Sequence, residues 1–401
     1  MPKPIRVTVG PANADFVGDS HLALQAAVDH VAEHGGGTVA VLGGTYRMGN
    51  AVHLRSGVRL AGAGERTVLI KNPSRTTRLA EDTDWYDRQA TVEDPSGFEA
   101  GGGILLRARD ICGGREPNVS QHTVTAVDGN VLSLDSKPGR DMWVTHEATA
   151  STLFPVVSGK DVSDLVIEDL VIDGNASENG PLNGCYGGCV FLQDCERVRI
   201  RAVVARNYNG DGISWQVCHD VTVEQCRSLN HRGLGLHPGS GSRRPVIRGN
   251  VVRDCNVGLF WCWGVQHGLA EDNDIRDCRQ YGISIGHRDT DNVLRRNRVV
   301  NSGIAGLFFR NEEPSCRGAH RNVVESNGIE NAGSAGKPGI GIDLNAAVEG
   351  VTLRGNRIVN PAGGNLSTGI RIGPRVTDLT LEGNEFSGVA QEVEDRRAGG
   401  A

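Results

Sequence analysis

A glycine followed by an apolar residue returns along this chain at Gly188, Gly212, Gly235, Gly258, Gly282, Gly306, Gly341 and Gly369, mostly 23 or 24 residues apart. An asparagine keeps a similar rhythm at Asn250, Asn273, Asn297, Asn327, Asn356 and Asn384. Self-similarity at such a period restricts the fold, because one short unit cannot bury its own apolar face and has to stack on the next. Between these marks, alternating runs such as "VTVEQC" and "GISIG" read as strands separated by polar turns. One period suits three short strands and three turns. Stacked in parallel, equivalent residues lie about 4.8 Å apart, and the asparagines form an inward ladder of amides. The expected fold class is all-β: a right-handed parallel β-helix of about ten coils of three strands. That architecture also lets 401 residues form one unit, where an ordinary core would split into domains.

The departures from the rhythm set the organisation. Residues 20–34 read as a capping helix, with Ser20 as N-cap, Gly35–Gly37 as the stop, and Leu22, Ala26, Ala27 and Val31 on one side. Such a cap covers the first coil, whose open strand edges would otherwise pair with other chains. About residues 75–150 break the repeat and read as a β-rich insertion, with "HTVTAVDGNVLSLDSK" as a hairpin turning at Asp-Gly. Regular coils run over about residues 156–389 of a single 1–390 domain, and the charged tail 391–401 is expected to fray.

The net charge of −6 argues against a nucleic-acid partner. No run of about 18 apolar residues exists, so no helical membrane span is expected. No apolar leader is visible between Met1 and Gly10, which points to a cytoplasmic protein, or a secreted one if the sequence is trimmed. Ten cysteines would permit disulfides, but Cys226, Cys255 and Cys278 recur at equivalent points of the repeat and read as small, reduced core residues. Oligomeric state is not legible.

Counting the recurrent glycine as zero, positions +1 and +3 are apolar and face inward, so +2 and +4 face out. One face thereby collects Gln216, His237, Arg310, Asp343 and Asn345, with Trp263, His287, Arg288, Asp289, Glu312 and Glu313 just beyond the strands. An extended polar face with an aromatic suits an extended carbohydrate: Trp263 offers a platform for sugar rings, and Gln216, Tyr281, Glu313, Asp343 and Asn345 are candidate sugar-binding residues. The "GHRDTDN" segment, Gly286–Asn292, is dense in chemistry for a turn. Its "DTD" makes Ca²⁺ a candidate ion, although two carboxylates fall short of a full oxygen shell. "CYGGC" at Cys185–Cys189 lacks the spacing of a zinc site.

The opening "DFVGDSHLALQAAVDHVAEHGGGTVAVLGGTYRM" and the Asn–Gly coils resemble the pectate-lyase-like and polygalacturonase-like β-helix superfamily. The resemblance covers nearly the whole chain outside the insertion. It implies the fold and carbohydrate chemistry without fixing the reaction, since many chemistries share one scaffold. Polygalacturonases carry "NTDG", then "DD", "GHG" and "RIK". Here "NGDGISW" supplies Asp211, but Leu234 stands where a catalytic Asp is expected, Tyr281 replaces the His, and only Arg310 remains of the basic pair. The carboxylate set for inverting hydrolysis is therefore incomplete.

Three readings follow. The first is a polysaccharide lyase, or an epimerase sharing its chemistry, with His237, His287, Tyr281 or Arg310 as base and Arg288 neutralising charge. The second is a glycoside hydrolase using Asp211, Asp289, Glu312 or Asp343. The third is a non-catalytic glycan-binding solenoid. The crowding of His and Arg on the face places the lyase first.

Overall fold

The structure, a computed structural model, describes residues 5–110, 117–311 and 317–397. The chain winds as a parallel β-helix with three faces. Face one is a 13-stranded sheet that begins with Phe16–Val17, Ile5–Gly10 and Gly37–Val41 and ends at Thr380–Glu382. Faces two and three are joined into a 22-stranded sheet; face three includes Gly188–Gln193, Asp211–Gln216, Leu234–Pro238, Val257–Phe260 and Tyr281–Ile285. Each strand pairs in parallel with its counterparts above and below, as where Ile213 lies opposite Leu236 and Leu236 opposite Leu259.

The recurrent asparagines sit at the corner between faces one and two. The Asn250 side-chain amide donates to Asn273 Oδ1 at 2.9 Å, Asn273 to Asn297 at 2.8 Å, and Asn297 to Asn327 at 3.0 Å. The same amide nitrogens also donate to backbone carbonyls, so a buried turn keeps its polar groups satisfied. The recurrent glycines mark where face three presses on face two. A Cβ on Gly235 would stand 2.3 Å from Val252, and one on Gly282 would stand 2.2 Å from Val299. The glycine thus points inward together with the aliphatic residue that follows it. This breaks strict alternation at the start of each face-three strand and leaves the preceding residue facing out.

The capping helix is His21–Glu33. Its buried stripe is Leu24, Ala27, Val28 and Val31, whereas Leu22 and Ala26 face solvent. The i, i+3, i+4, i+7 set built on Leu24 carries more apolar volume than the expected one built on Leu22. The Gln25 side chain ties the helix to the first coil, donating to the His53 carbonyl at 3.0 Å and accepting the His53 N–H at 2.8 Å.

Between Thr67–Lys71 on face two and Val157–Lys160 on face three, the chain leaves the solenoid to form a six-stranded antiparallel sheet spanning Thr76–Arg78 to Thr149–Ser151. The hairpin Asn118–Asp128/Val131–Leu134 turns at Gly129, which has φ 58°. One side of this sheet has its own core around Leu79, Ile104, Leu106, Leu132 and Met142, and Leu105 and Leu153 join the main core. Because it exits at the corner between faces two and three, the sheet rises beside face three. The tail expected to fray adds a strand instead: Gln391–Asp395 pairs in parallel with Leu366–Ile372, with Val393 continuing the column of Ile370. Alternation of an apolar with charged residues suits a last rung exposed on one side.

Candidate functional site

Face three carries an outward row in which Ser214 lies opposite His237, Phe260 opposite Ser284, and Phe308 opposite Asp343. The row is continuous through the edge-to-face contact of His237 with Phe260, whose ring centroids are 5.5 Å apart.

Asp211 and His237 form the most organised pair on it. Asp211 Oδ2 lies 2.8 Å from His237 Nδ1, and Asp211 Oδ1 accepts the Leu234 N–H at 2.9 Å. The carboxylate fits because two glycines make room: a Cβ on Gly184 would stand 1.6 Å from Oδ2, and one on Gly233 2.3 Å from Oδ1. The Ser214 hydroxyl donates to the Gly184 carbonyl at 2.7 Å and lies 3.3 Å from His237 Nδ1. His237 Nε2 is buried and has no hydrogen-bond partner. A buried polar atom left unpaired costs about 1–3 kcal/mol, and such atoms often mark sites where a ligand completes the bonding. Beneath the pair, burial pushes the His231 imidazole down to about 4; its Nδ1 accepts the Tyr208 N–H at 3.2 Å, so it is a neutral structural ring.

Asp211 and His237 line a cavity of about 840 Å³ whose opposite wall is the insertion, through Leu105, Arg107, Val119 and Thr149. Arg232, Asn183 and Asn209 add to its polar lining. Two guanidinium groups thus share the cavity with one imidazole and, among the described residues, one carboxylate.

The other candidates fall in separate places. Asp289 is fully buried, and burial raises its carboxyl to about 6 against the pull of Arg310 and backbone donors. Its oxygens accept the N–H groups of Gly264, Val265 and Gly286, each at 2.9 Å, which makes it the brace of two stacked turns. That use of both oxygens gives "DTD" a role without an ion. His287 and Arg288 occupy left-handed conformations, and the His287 ring stacks on exposed Trp263 at 4.1 Å with an interplanar angle of 2°. Arg310 folds back over Phe260, 4.3 Å from the ring centroid, and donates to Ser284 Oγ at 3.0 Å and to the Trp261 carbonyl at 2.8 Å. Tyr281 stacks on Phe308 at 4.4 Å, Asp343 pairs with Arg371, and Asn345 is exposed. Gln216 corrects the outward assignment: it is buried, and its Oε1 accepts the Ser240 N–H at 2.9 Å to hold the next turn. Glu312 and Glu313 lie outside the described residues.

A family model described as the right handed beta helix region matches residues 188–386, the segment that holds both Asp211 and His237. Over that segment the chain is a right-handed β-helix. Mannuronan C5-epimerase AlgE5 of Azotobacter vinelandii is 24% identical over 229 residues, which are 55% of this chain and 20% of that protein. The chain therefore spans about a fifth of the length of that curated relative. Among solved structures, the surface adhesin PfbA of Streptococcus pneumoniae superposes with a TM-score of 0.57 at 12% identity, covering 96% of this β-helix and 94% of that chain. The A-module of mannuronan C-5 epimerase AlgE6 of Azotobacter vinelandii gives 0.50 at 15% identity, covering 95% and 93%. These superpositions report the fold.

Within this β-helix the structure joins two of the sequence candidates, Asp211 and His237, in one cavity, and places His287, Arg288, Asp289, Arg310 and Trp263 further along the same face. Arg107, Arg232, Asn183 and Asn209 were absent from the sequence reading. Arg107 belongs to the insertion and the other three to turns, so no strand periodicity pointed to them.

Proposed function

We propose that this β-helix acts on an acidic polysaccharide, with His237 as the base that removes the proton α to a uronate carboxylate and β-elimination as the outcome. One observation carries the reading: His237 lines the cavity, and its buried Nε2 has no hydrogen-bond partner while Asp211 engages Nδ1. With Nδ1–H donated to Asp211, the lone pair resides on Nε2, the tautomer that a base requires. Arg107 and Arg232 supply positive charge for the substrate carboxylate and for the enolate that develops when the proton leaves. Retaining or inverting hydrolysis needs two carboxyl groups flanking the bond, and Asp211 is the one carboxylate among the described lining residues.

An epimerase begins with the same proton abstraction and ends with return of a proton to the opposite side. The names of the curated relatives specify epimerisation at C5 of a mannuronan, which favours this as the second reading.

The test is incubation of the protein and of His237→Ala with acidic and neutral polysaccharides, with and without Ca²⁺. Ultraviolet absorbance from a new conjugated double bond and new reducing ends are followed together. Both should rise on acidic polymers alone and fall to background in the variant. Reducing ends without absorbance would replace the reading with hydrolysis, and binding without either signal would replace it with a glycan-binding solenoid.

A further inference from the structure

The insertion encloses a second cavity, of about 520 Å³, between its strand Asn118–Asp128 and the first rungs of face three. It is separated from the His237 cavity by a strap in which the Gln121 side-chain amide donates to the Tyr186 carbonyl. Val119 and Tyr186 line both sides of that strap.

Ser120 and His122 are two residues apart on one strand and so share a side of it. His122 Nε2 lies 2.6 Å from Ser120 Oγ, and His122 Nδ1 lies 2.8 Å from Ser136 Oγ. The Ser136 hydroxyl in turn donates to Asp135 Oδ1 at 3.0 Å, and Asp135 Oδ1 is 3.5 Å from His122 Nδ1 directly. This fixes the protons. With the Ser136 hydroxyl donating to the carboxylate, Ser136 Oγ accepts the Nδ1–H of His122, and Nε2 keeps the lone pair that faces Ser120 Oγ. A nucleophile bonded to a base, itself oriented by a third group, is the arrangement that activates a serine. The single Ser120 proton has two acceptors in reach, the Pro138 carbonyl at 2.8 Å and His122 Nε2, and it turns from the carbonyl to the imidazole when the hydroxyl attacks. Lys137, Arg140 and Lys160 line the same cavity, and none of them forms an ion pair among the described residues. Two of the five lysines in the chain are thus gathered here, opposite one carboxylate, Asp135.

We propose that this cavity is a separate serine acyl-transfer site that hydrolyses an O-acyl ester carried by an anionic sugar. Ser120 Oγ bonds to the acyl carbon as its proton passes to His122 Nε2. The tetrahedral oxyanion then collapses, the bond from the acyl carbon to the sugar oxygen breaks, and that oxygen takes the proton from His122. Water repeats the sequence, its proton going to His122 and then to Ser120, which is released with the free carboxylic acid. The basic side chains hold the acidic group of the sugar. No oxidant, reductant or further co-reactant is required.

The site stands independently of the chemistry assigned to His237, because its test needs no polysaccharide. The full chain is treated with diisopropyl fluorophosphate and mapped by mass spectrometry, and hydrolysis of p-nitrophenyl acetate is followed in parallel. The expected result is one phosphoryl group per chain, on Ser120, absent from His122→Ala. Ester hydrolysis should fall about 10²-fold or more in Ser120→Ala, with circular dichroism showing that variant folded. Wild-type protein that stays unlabelled at Ser120, or a folded Ser120→Ala that keeps the wild-type rate, would overturn the proposal and leave the relay as a brace of the hairpin. The labelling arm uses native protein and does not depend on any variant folding.

Discussion

Asp211 Oδ2 and His237 Nδ1 are 2.8 Å apart although 26 residues separate them in sequence, because Asp211 precedes the recurrent glycine of one coil and His237 follows that of the next by two. The same diagonal step brings Tyr281 onto Phe308. The Asp–His pair is therefore a product of coil geometry. Its chemical consequence is tautomer control. An amide at position 211 can present its N–H₂ to Nδ1 and place the ring proton on Nε2, which disables the base. Asp211→Asn should lower kcat by about 10²–10⁴-fold with little change in KM, measured on the acidic polymer that the wild type turns over.

Arg107 and Arg232 reach the cavity from the insertion and from a turn. If they stabilise developing negative charge, Arg107→Gln and Arg232→Gln should each lower kcat/KM by about 10–10³-fold. Assaying both variants across a salt series checks this: loss of charge steering makes their rates less salt-sensitive than the wild type's.

His231 gives a pH signature. Burial lowers its imidazole to about 4, against about 6.5 in the unfolded chain. Between these values the unfolded state binds the extra proton, so stability is present above about 6.5 and is lost as pH falls toward about 4, by about 3 kcal/mol in all. Asp289 acts with the opposite sign. Its carboxyl, raised to about 6 by burial, keeps a proton in the folded state that the unfolded state releases above about 4, so its contribution declines as pH rises through that range. Relative to wild type, in which the two contributions largely offset each other, urea midpoints from pH 4 to 7 should fall with rising pH in His231→Gln and rise in Asp289→Asn.

The asparagine ladder makes a stability prediction with no functional counterpart. The Asn297 side chain donates to the Ala270 carbonyl and to Asn327 Oδ1, and its Oδ1 accepts from Asn273. Asn297→Ala leaves these buried partners unpaired and should cost about 2–4 kcal/mol by denaturant unfolding.

The solenoid was legible because period carries fold in a repeat protein: the Asn and Gly columns recur in sequence at the interval at which they stack in space. The site was legible only in pieces. Asp211 and His237 each stood out, but strict alternation places residue −1 inward, and the inward packing of Gly212 on Ser228 and His231 is what keeps Asp211 turned out. "GHRDTDN" drew attention by composition, yet Asp289 is consumed in bonds to three backbone N–H groups, as a buried carboxylate in a turn requires. The insertion read as β-rich, but that its sheet walls a cavity with Arg107 depends on long-range packing of Leu105 and Leu153 that no local pattern encodes.

The central claim is that His237 moves a carbon-bound proton, and solvent deuterium tests it most directly. The acidic polysaccharide that the protein turns over is incubated with it in D₂O, and products and recovered polymer are examined by NMR. The account predicts loss of the proton α to the carboxylate, seen as an unsaturated end or as deuterium at that carbon, and neither change in His237→Ala. Cleavage that leaves every α proton in place, with no unsaturated end, would contradict it.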